Sequence, residues 1–247
     1  VLRDAPNNED ALALVRELID HPAFGSQALE LLEEIHRSAE RWPALADVLL
    51  RGLAVRHGPP TAKQLRELAD VQQHHLDQPA EAMDTLLRLL STAPDAALLE
   101  RFTALAKATD NEDDIAGAYE IALDGPLSDP DRARVLGAAA EYHRASADHP
   151  EQVEALLERL VEVDPTHTES WEALDTLYDE SGRWPELVAL LQRRAATQTD
   201  AEQRRMILHR LGGIAQATEN LPVAVEAYEQ LAGLDSDDLD SASTAVE

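Results

Sequence analysis

Cysteine is absent from the 247 residues, so disulfides and thiolate metal sites are excluded. Aromatic residues are scarce at 4%, which argues against a strand-rich fold built on aromatic packing. Bases are scarce too: 21 Lys and Arg stand against 48 Asp and Glu, a formal net charge of -27. Lysine occurs only at Lys63 and Lys107. Such a field repels nucleic acid phosphates and anionic membrane faces, and it attracts basic partners. No run approaches the roughly 18 apolar residues of a membrane span, so direct membrane insertion is not expected. Nor does a charged start lead into an apolar stretch, as in a signal peptide. Without an initiator Met, a removed leader would mean a periplasmic chain. A cytoplasmic place is favoured otherwise.

What is present is helical in character. Hydrophobic residues make up 44% of the chain, dominated by Ala and Leu. Unbranched apolar residues favour helices over strands, and no period-two alternation is long enough for a strand. Short breaks carry Pro, Gly, Asp or Asn: His57-Gly58-Pro59-Pro60, Ala93-Pro94-Asp95, Asp124-Gly125-Pro126, Asp164-Pro165 and Asn220-Leu221-Pro222. Several read as helix starts, with Asp or Thr first, Pro in the first turn and acids after it.

Two segments align without gaps at an offset of 142 residues, 29–52 and 171–194. Eight of their 24 positions are identical, including Arg41-Trp42-Pro43 with Leu45, and Arg183-Trp184-Pro185 with Leu187. Trp occurs three times in the chain, so reuse of two of them in one pentapeptide marks a repeat. Second helices are predicted to start near Trp42, Pro79, Glu112, Pro150, Trp184 and Leu221, 33 to 38 residues apart. One amphipathic helix cannot cover its own apolar stripe. Pairing with the next helix and stacking successive pairs makes one continuous core. Trp171, Tyr178, Phe102, Tyr119 and Tyr228 are expected to fill that core, and small Ala82, Gly212 and Ala224 to let backbones approach.

Trp171, Leu174 and Tyr178 fall on the spacing W-x2-L-G-x2-Y, with Asp175 in place of the Gly. Leu211-Gly212 followed by Ala224 and Tyr228 repeats the second half of that pattern. On these residues the chain resembles the tetratricopeptide repeat family, most clearly over 165–235. The resemblance implies an all-α, right-handed α-solenoid of stacked antiparallel helix pairs. We expect one array over 1–247 with about six units, at 24–57, 61–93, 95–125, 129–164, 166–199 and 200–235. Partial units would occupy 1–22 and 236–247, since Asp4-Ala5-Pro6 resembles the end of a preceding unit and Asp235-Ser236-Asp237-Asp238 the start of another. The array is expected to be a fragment of a longer one. The shared Arg-Trp-Pro-x-Leu also resembles repeats of very large bacterial tetratricopeptide scaffold proteins.

Catalytic signatures are missing. There is no phosphate loop, no nucleophile elbow and no H-E-x-x-H, so neither an enzyme nor a cofactor is expected. Gly212-Gly213 sits within a helical pattern, where packing explains it. The adjacent His74 and His75 diverge by about 100° on a helix and would not share an ion. His143 and His149 straddle a predicted helix end. Surface or partly buried positions are expected for the histidines. The acid runs Asn111-Glu112-Asp113-Asp114 and Asp235-Ser236-Asp237-Asp238 lack the Gly of a calcium loop and suit helix N-termini.

In the family, one helix of each pair lines a groove that receives a peptide or a partner helix. The resemblance places Glu169, Glu172, Thr176 and Asp179 on that face in the fifth unit, an acidic surface. The Lys, Arg and Asn clamp that takes acidic chaperone tails is not present. In the sixth unit Arg204, Arg205, His209 and Arg210 cluster as a basic island, or pair with acids such as Asp200 and Glu202. Candidate partner-binding residues are therefore Glu169, Glu172, Thr176, Asp179, Arg205 and His209. The implied function is a non-catalytic protein–protein interaction scaffold with protein partners of basic or mixed charge. Self-association through uncapped ends is a further expectation. The alternatives are a regulatory or sensor domain attached to a catalytic module elsewhere, and a passive spacer.

Overall fold

The structure, a computed structural model, describes residues 8–55, 61–146 and 150–244. Among these are thirteen helices and no strand. In chain order they are α1 (Glu9–Glu17), α2 (Gly25–Ser38), α3 (Trp42–Val55), α4 (Ala62–His74), α5 (Pro79–Thr92), α6 (Ala96–Ala108), α7 (Asp114–Asp124), α8 (Asp129–Ser146), α9 (Pro150–Val163), α10 (Thr168–Glu180), α11 (Trp184–Thr197), α12 (Ala201–Ala217) and α13 (Leu221–Thr244). The fold is all-α, built as a solenoid of antiparallel helix pairs. The chain divides into two compact units, Val1–Asp131 and Arg132–Glu247.

Local chemistry explains the boundaries. The side chains of Asn8, Thr61, Asp95 and Asp200 accept hydrogen bonds from the backbone N–H groups of Ala11, Gln64, Leu98 and Gln203, capping α1, α4, α6 and α12. Pro stands in the first turn of α5 and α11, where no amide hydrogen is needed. The predicted starts Trp42, Pro79, Pro150, Trp184 and Leu221 coincide with the starts of α3, α5, α9, α11 and α13. The start near Glu112 falls at Asp114 instead, because Asn111–Asp113 is spent in a turn, closed by Asp114 N–H to the Asn111 carbonyl at 3.3 Å. Asp113 makes no side-chain capping bond there, so the acids act on that helix end through charge.

Five described turns inside the pairs share one conformation. Glu40, Asp77, Asp110, Gly182 and Glu219 all take a left-handed backbone, with φ between 53° and 66°. The following Arg41, Arg183 and Asn220 donate N–H bonds of 2.9, 2.9 and 2.7 Å to the carbonyls of His36, Tyr178 and Ala215, five residues back. Each turn therefore satisfies the orphan carbonyls of one helix while reversing the chain into the next.

In the first unit, Leu12, Ile19, Leu29, Leu32, Ile35 and Val48 form a core shared by α1, α2 and α3. Leu45, Leu49, Leu68 and Val71 continue it between α3 and α4. Further along, α5 packs on both α6 and α7, with Phe102 and Ile115 fully buried. Each such side chain contributes about 1.5–3 kcal/mol of apolar burial. A buried polar pair joins the layers, the Thr85 hydroxyl donating to Gln72 Oε1 at 2.7 Å. Successive first helices are also tied by ion pairs, with Arg37 on Glu67 at 2.6 Å and Arg101 on Asp70 at 2.6 Å.

In the second unit, α9 packs on α10, α10 on α11, α11 on α12 and α12 on α13. Leu160, Trp171, Leu174, Tyr178, Leu187, Leu191, Leu208 and Leu211 are buried along this stack. Gly212 permits a close approach of α12 and α13: a Cβ there would meet the Tyr228 ring at 2.7 Å. Gly213, by contrast, faces open space. The run 235–238 lies inside α13, whose backbone continues to Thr244.

Phe102, Tyr119, Trp171 and Tyr178 are core residues, whereas Tyr228 is 38% exposed. His36 departs from the surface or partly buried position expected of the histidines, being fully buried. Asp4-Ala5-Pro6, His57-Gly58-Pro59-Pro60 and His149 lie outside the described residues.

Candidate functional site

The helix α10 turns Trp171, Leu174 and Tyr178 into the core and leaves Glu169, Glu172, Thr176 and Asp179 exposed. Its apolar residues recur at three- and four-residue spacing, so one stripe is buried and the acids occupy the other. Opposite this acidic face stands α12, which buries Ile207 and leaves Met206 63% exposed. Between them, Leu191 and Arg194 of α11 form the floor of a groove of about 280 Å³. Glu172, Asp175, Met206 and Arg210 form its walls.

The charges in the groove are arranged, not scattered. Asp175 is buried, 6% exposed, and it pairs with Arg210 across the groove. Nη1 of Arg210 donates to Oδ2 at 2.8 Å. Nη2 lies 2.7 Å from Oδ1 but off the hydrogen-bonding direction, so Oδ1 is paired by charge without a hydrogen bond. Burial pushes the Asp175 carboxyl above its ordinary value. Arg210 and then Arg194 pull it down, while Asp179 and Glu172 push it further up. Arg210 also stands 3.7 Å from Asp179.

On the opposite side of α10 a second network holds the helix in place. The Tyr178 hydroxyl sits 2.8 Å from Glu158 Oε1 and 3.1 Å from Glu154 Oε1, its one proton shared between two carboxylates. Burial and these anions hold the phenol well above its ordinary value. Arg183 binds Glu154 at 2.7 Å, and Arg193 binds Glu158 at 2.5 Å. The bond from Arg183 holds the Glu154 carboxyl below its usual range, against the opposing effect of burial. Arg183 further lies over the Tyr178 ring, 4.8 Å from its centre. The Trp171 indole donates to the Pro165 carbonyl at 2.9 Å, which makes this Trp a structural anchor.

Of the residues expected from sequence, Glu172 lines the groove and Asp179 borders it through Arg210. Thr176 does not join them. It faces a separate groove of about 510 Å³ formed with α8 and α9, where Val153, Leu157 and Leu177 lie. Its hydroxyl donates back to the Glu172 carbonyl at 2.8 Å. Glu169 is exposed in the first turn of α10, and His209 is exposed on α12. Arg205 is half-buried and donates to the Leu234 carbonyl at 3.3 Å.

The basic cluster of α12 is thus drawn to α10 and α13. Arg204 reaches Gln230 at 3.4 Å, and Asp200 caps its own helix. Sequence reasoning missed Asp175, Arg194 and Arg210 as one group. The available signal was an acid at the small position of the motif, with an Arg 35 residues further on.

Exposed apolar surface at Met206, the exposed Glu172 carboxylate and a salt bridge between the walls offer shape and charge. Among the described residues no three His, Asp or Glu side chains gather where an ion could sit. No described helix is long and apolar enough to cross a membrane.

Residues 170–205, which run from α10 into α12, match the family model of the tetratricopeptide repeat. No curated protein matches the chain. Similar solved structures include MamA, 11% identical over 87% of this chain and 93% of that chain, with a TM-score of 0.31. PilF of Pseudomonas aeruginosa is 15% identical over 91% and 93%, with a TM-score of 0.34. The TPR2AB domain of yeast Sti1, solved as a complex with pHSP90, is 12% identical over 95% and 94%, with a TM-score of 0.29. These likenesses bear on neither the partner nor the activity of this chain.

Proposed function

We propose that this tetratricopeptide-repeat chain is a non-catalytic interaction scaffold, and that the groove between α10, α11 and α12 seats a short basic segment of a protein partner. The observation that supports this reading is the pairing of Glu172 with an exposed apolar wall at Met206 in one groove. An aliphatic stem would lie on Met206 and Ile207 while its cationic head meets Glu172. Long basic side chains divide in this way between apolar and polar surroundings. The surplus of acids favours the same partner. Of the two arginines that line the groove, Arg210 is committed to Asp175 and the charge of Arg194 acts on the same carboxyl, whereas the chain carries 48 acids against 21 bases. A basic segment is therefore drawn in by the field of the whole molecule.

Fluorescence anisotropy with labelled eight-residue peptides tests the reading. Peptides that pair a Leu with Lys or Arg are expected to bind, more weakly as salt rises. Their Lys-to-Glu counterparts are expected not to bind. Glu172→Lys should weaken binding roughly tenfold, about 1.4 kcal/mol, and Met206→Glu should weaken it likewise. Equal binding of acidic and basic peptides, or indifference to both substitutions, overturns the proposal.

A further inference from the structure

His36 is set apart from the other histidines by the completeness of its burial. Its side chain has no solvent exposure, and neither ring nitrogen has a hydrogen-bond partner. A neutral imidazole carries one N–H donor and one acceptor nitrogen, so both polar atoms are enclosed without a mate. An imidazolium in that place would add a second buried donor and a full charge.

The groups around it do not invite that charge. From α1 come Glu9 and Arg16, and from the turn into α3 comes Arg41. Glu33 lies one helical turn back on α2. The neighbouring Arg37 is turned toward α4 and held by Glu67 in a two-bond fork of 2.6 and 2.9 Å. The charged groups of α3, Asp47 and Arg51, lie on its exposed face, and Arg51 reaches Asp20 at 3.0 Å. Glu9, which would favour a cation, is already engaged by Arg41 at 3.4 Å. Burial, then Arg16 and Arg41, hold the basicity of His36 below the ordinary histidine value.

We propose that His36 is an acid-sensitive latch: taking up a proton requires α1 to part from α2 and α3, so the N-terminal helices open in mildly acidic conditions. The direction follows from linkage. Above the ordinary value of 6.5 the imidazole is neutral in both the closed and the open form, and closure has its full strength. Below 6.5 the open form gains the proton and the closed form resists it. Closure therefore weakens as the pH falls, until the lowered value of the closed form is reached. Opening would uncover the apolar faces of Leu12, Ile19 and Leu29, which are packed against one another in the closed form.

Hydrogen exchange read by mass spectrometry on the 247-residue chain, corrected for intrinsic rates, tests the latch between about pH 7.5 and 5.5. Opening in peptides from α1 to α3 should rise by up to about tenfold at the acid end, the limit for one proton across one pH unit. Peptides from α10 to α12 should not share that rise. His36→Gln and His36→Leu should each abolish the excess. An excess absent from the wild-type chain, or surviving in both variants, overturns the proposal. Should both variants fail to fold, carbon-13 NMR of the wild-type histidines decides the matter. A His36 that titrates at or above 6.5 with α1 to α3 still protected refutes the latch, and one that takes up its proton only as protection is lost supports it.

Discussion

The segments 29–52 and 171–194 have the same plan and different neighbours, and the neighbours decide what each can carry in its core. Leu32 and Leu174 occupy the same position and are both fully buried. The aligned Arg41 and Arg183 reach back to Glu9 and Glu154, and the aligned Arg51 and Arg193 to Asp20 and Glu158. At the next aligned position the two part company. Tyr178 finds Glu154 and Glu158 within hydrogen-bonding distance on the preceding helix. At the same 142-residue offset, the helix before His36 offers Leu12 and Arg16 instead. A buried polar group is satisfied only by what the preceding repeat presents, so one repeat's tolerance is written in the repeat before it.

The largest effects should come from the shared position. Leu32→Ala and Leu174→Ala are each expected to cost about 3 kcal/mol, from lost burial plus the cavity left behind. Urea unfolding measures both, and a difference beyond about 1.5 kcal/mol would mean that the two cores are not equivalent. A smaller and opposite pair follows from the position where they differ. Tyr178→Phe removes a hydroxyl shared by two carboxylates and should cost about 1–2 kcal/mol. His36→Leu at pH 8 removes an unsatisfied buried polar group and should gain about 1 kcal/mol. Destabilisation by both substitutions would dissolve the contrast.

The elements were legible because apolar spacing and turn chemistry are local. Arg-Trp-Pro marks the start of α3 and α11 from sequence alone, and Pro79, Pro150 and Leu221 do the same for their helices. Less legible was anything that depends on what lies across a helix interface. The groove joins Glu172 and Asp175 to Arg194 and Arg210, and no local pattern says that residue 175 faces residue 210. Asp175 read as a departure from a glycine and proved to be a buried ion-pair partner. Thr176 shares the exposed stripe of α10 with Glu172, yet its groove is a different one, because two grooves meet on the two flanks of one helix. His36 was recoverable, since its aligned partner Tyr178 occupies the aromatic slot of the motif.

The smallest effects lie in the turns and test whether backbone form alone is shared. Glu40 and Gly182 are aligned, with φ of 53° and 66°. Each precedes an Arg whose N–H closes the helix end at 2.9 Å. A side chain in the left-handed region crowds its own backbone, a strain that glycine escapes. Glycine also has more freedom to lose on folding, which offsets part of the gain. Glu40→Gly should therefore stabilise by about 0.5 kcal/mol, and Gly182→Ala should destabilise by about 1 kcal/mol. Asp77→Gly and Asp110→Gly should gain less, because Asp tolerates this conformation better than Glu. Thermal midpoints of the four variants rank them. A loss of stability in Glu40→Gly would mean that the Glu40 side chain, exposed as it is, makes a contribution larger than the strain it imposes.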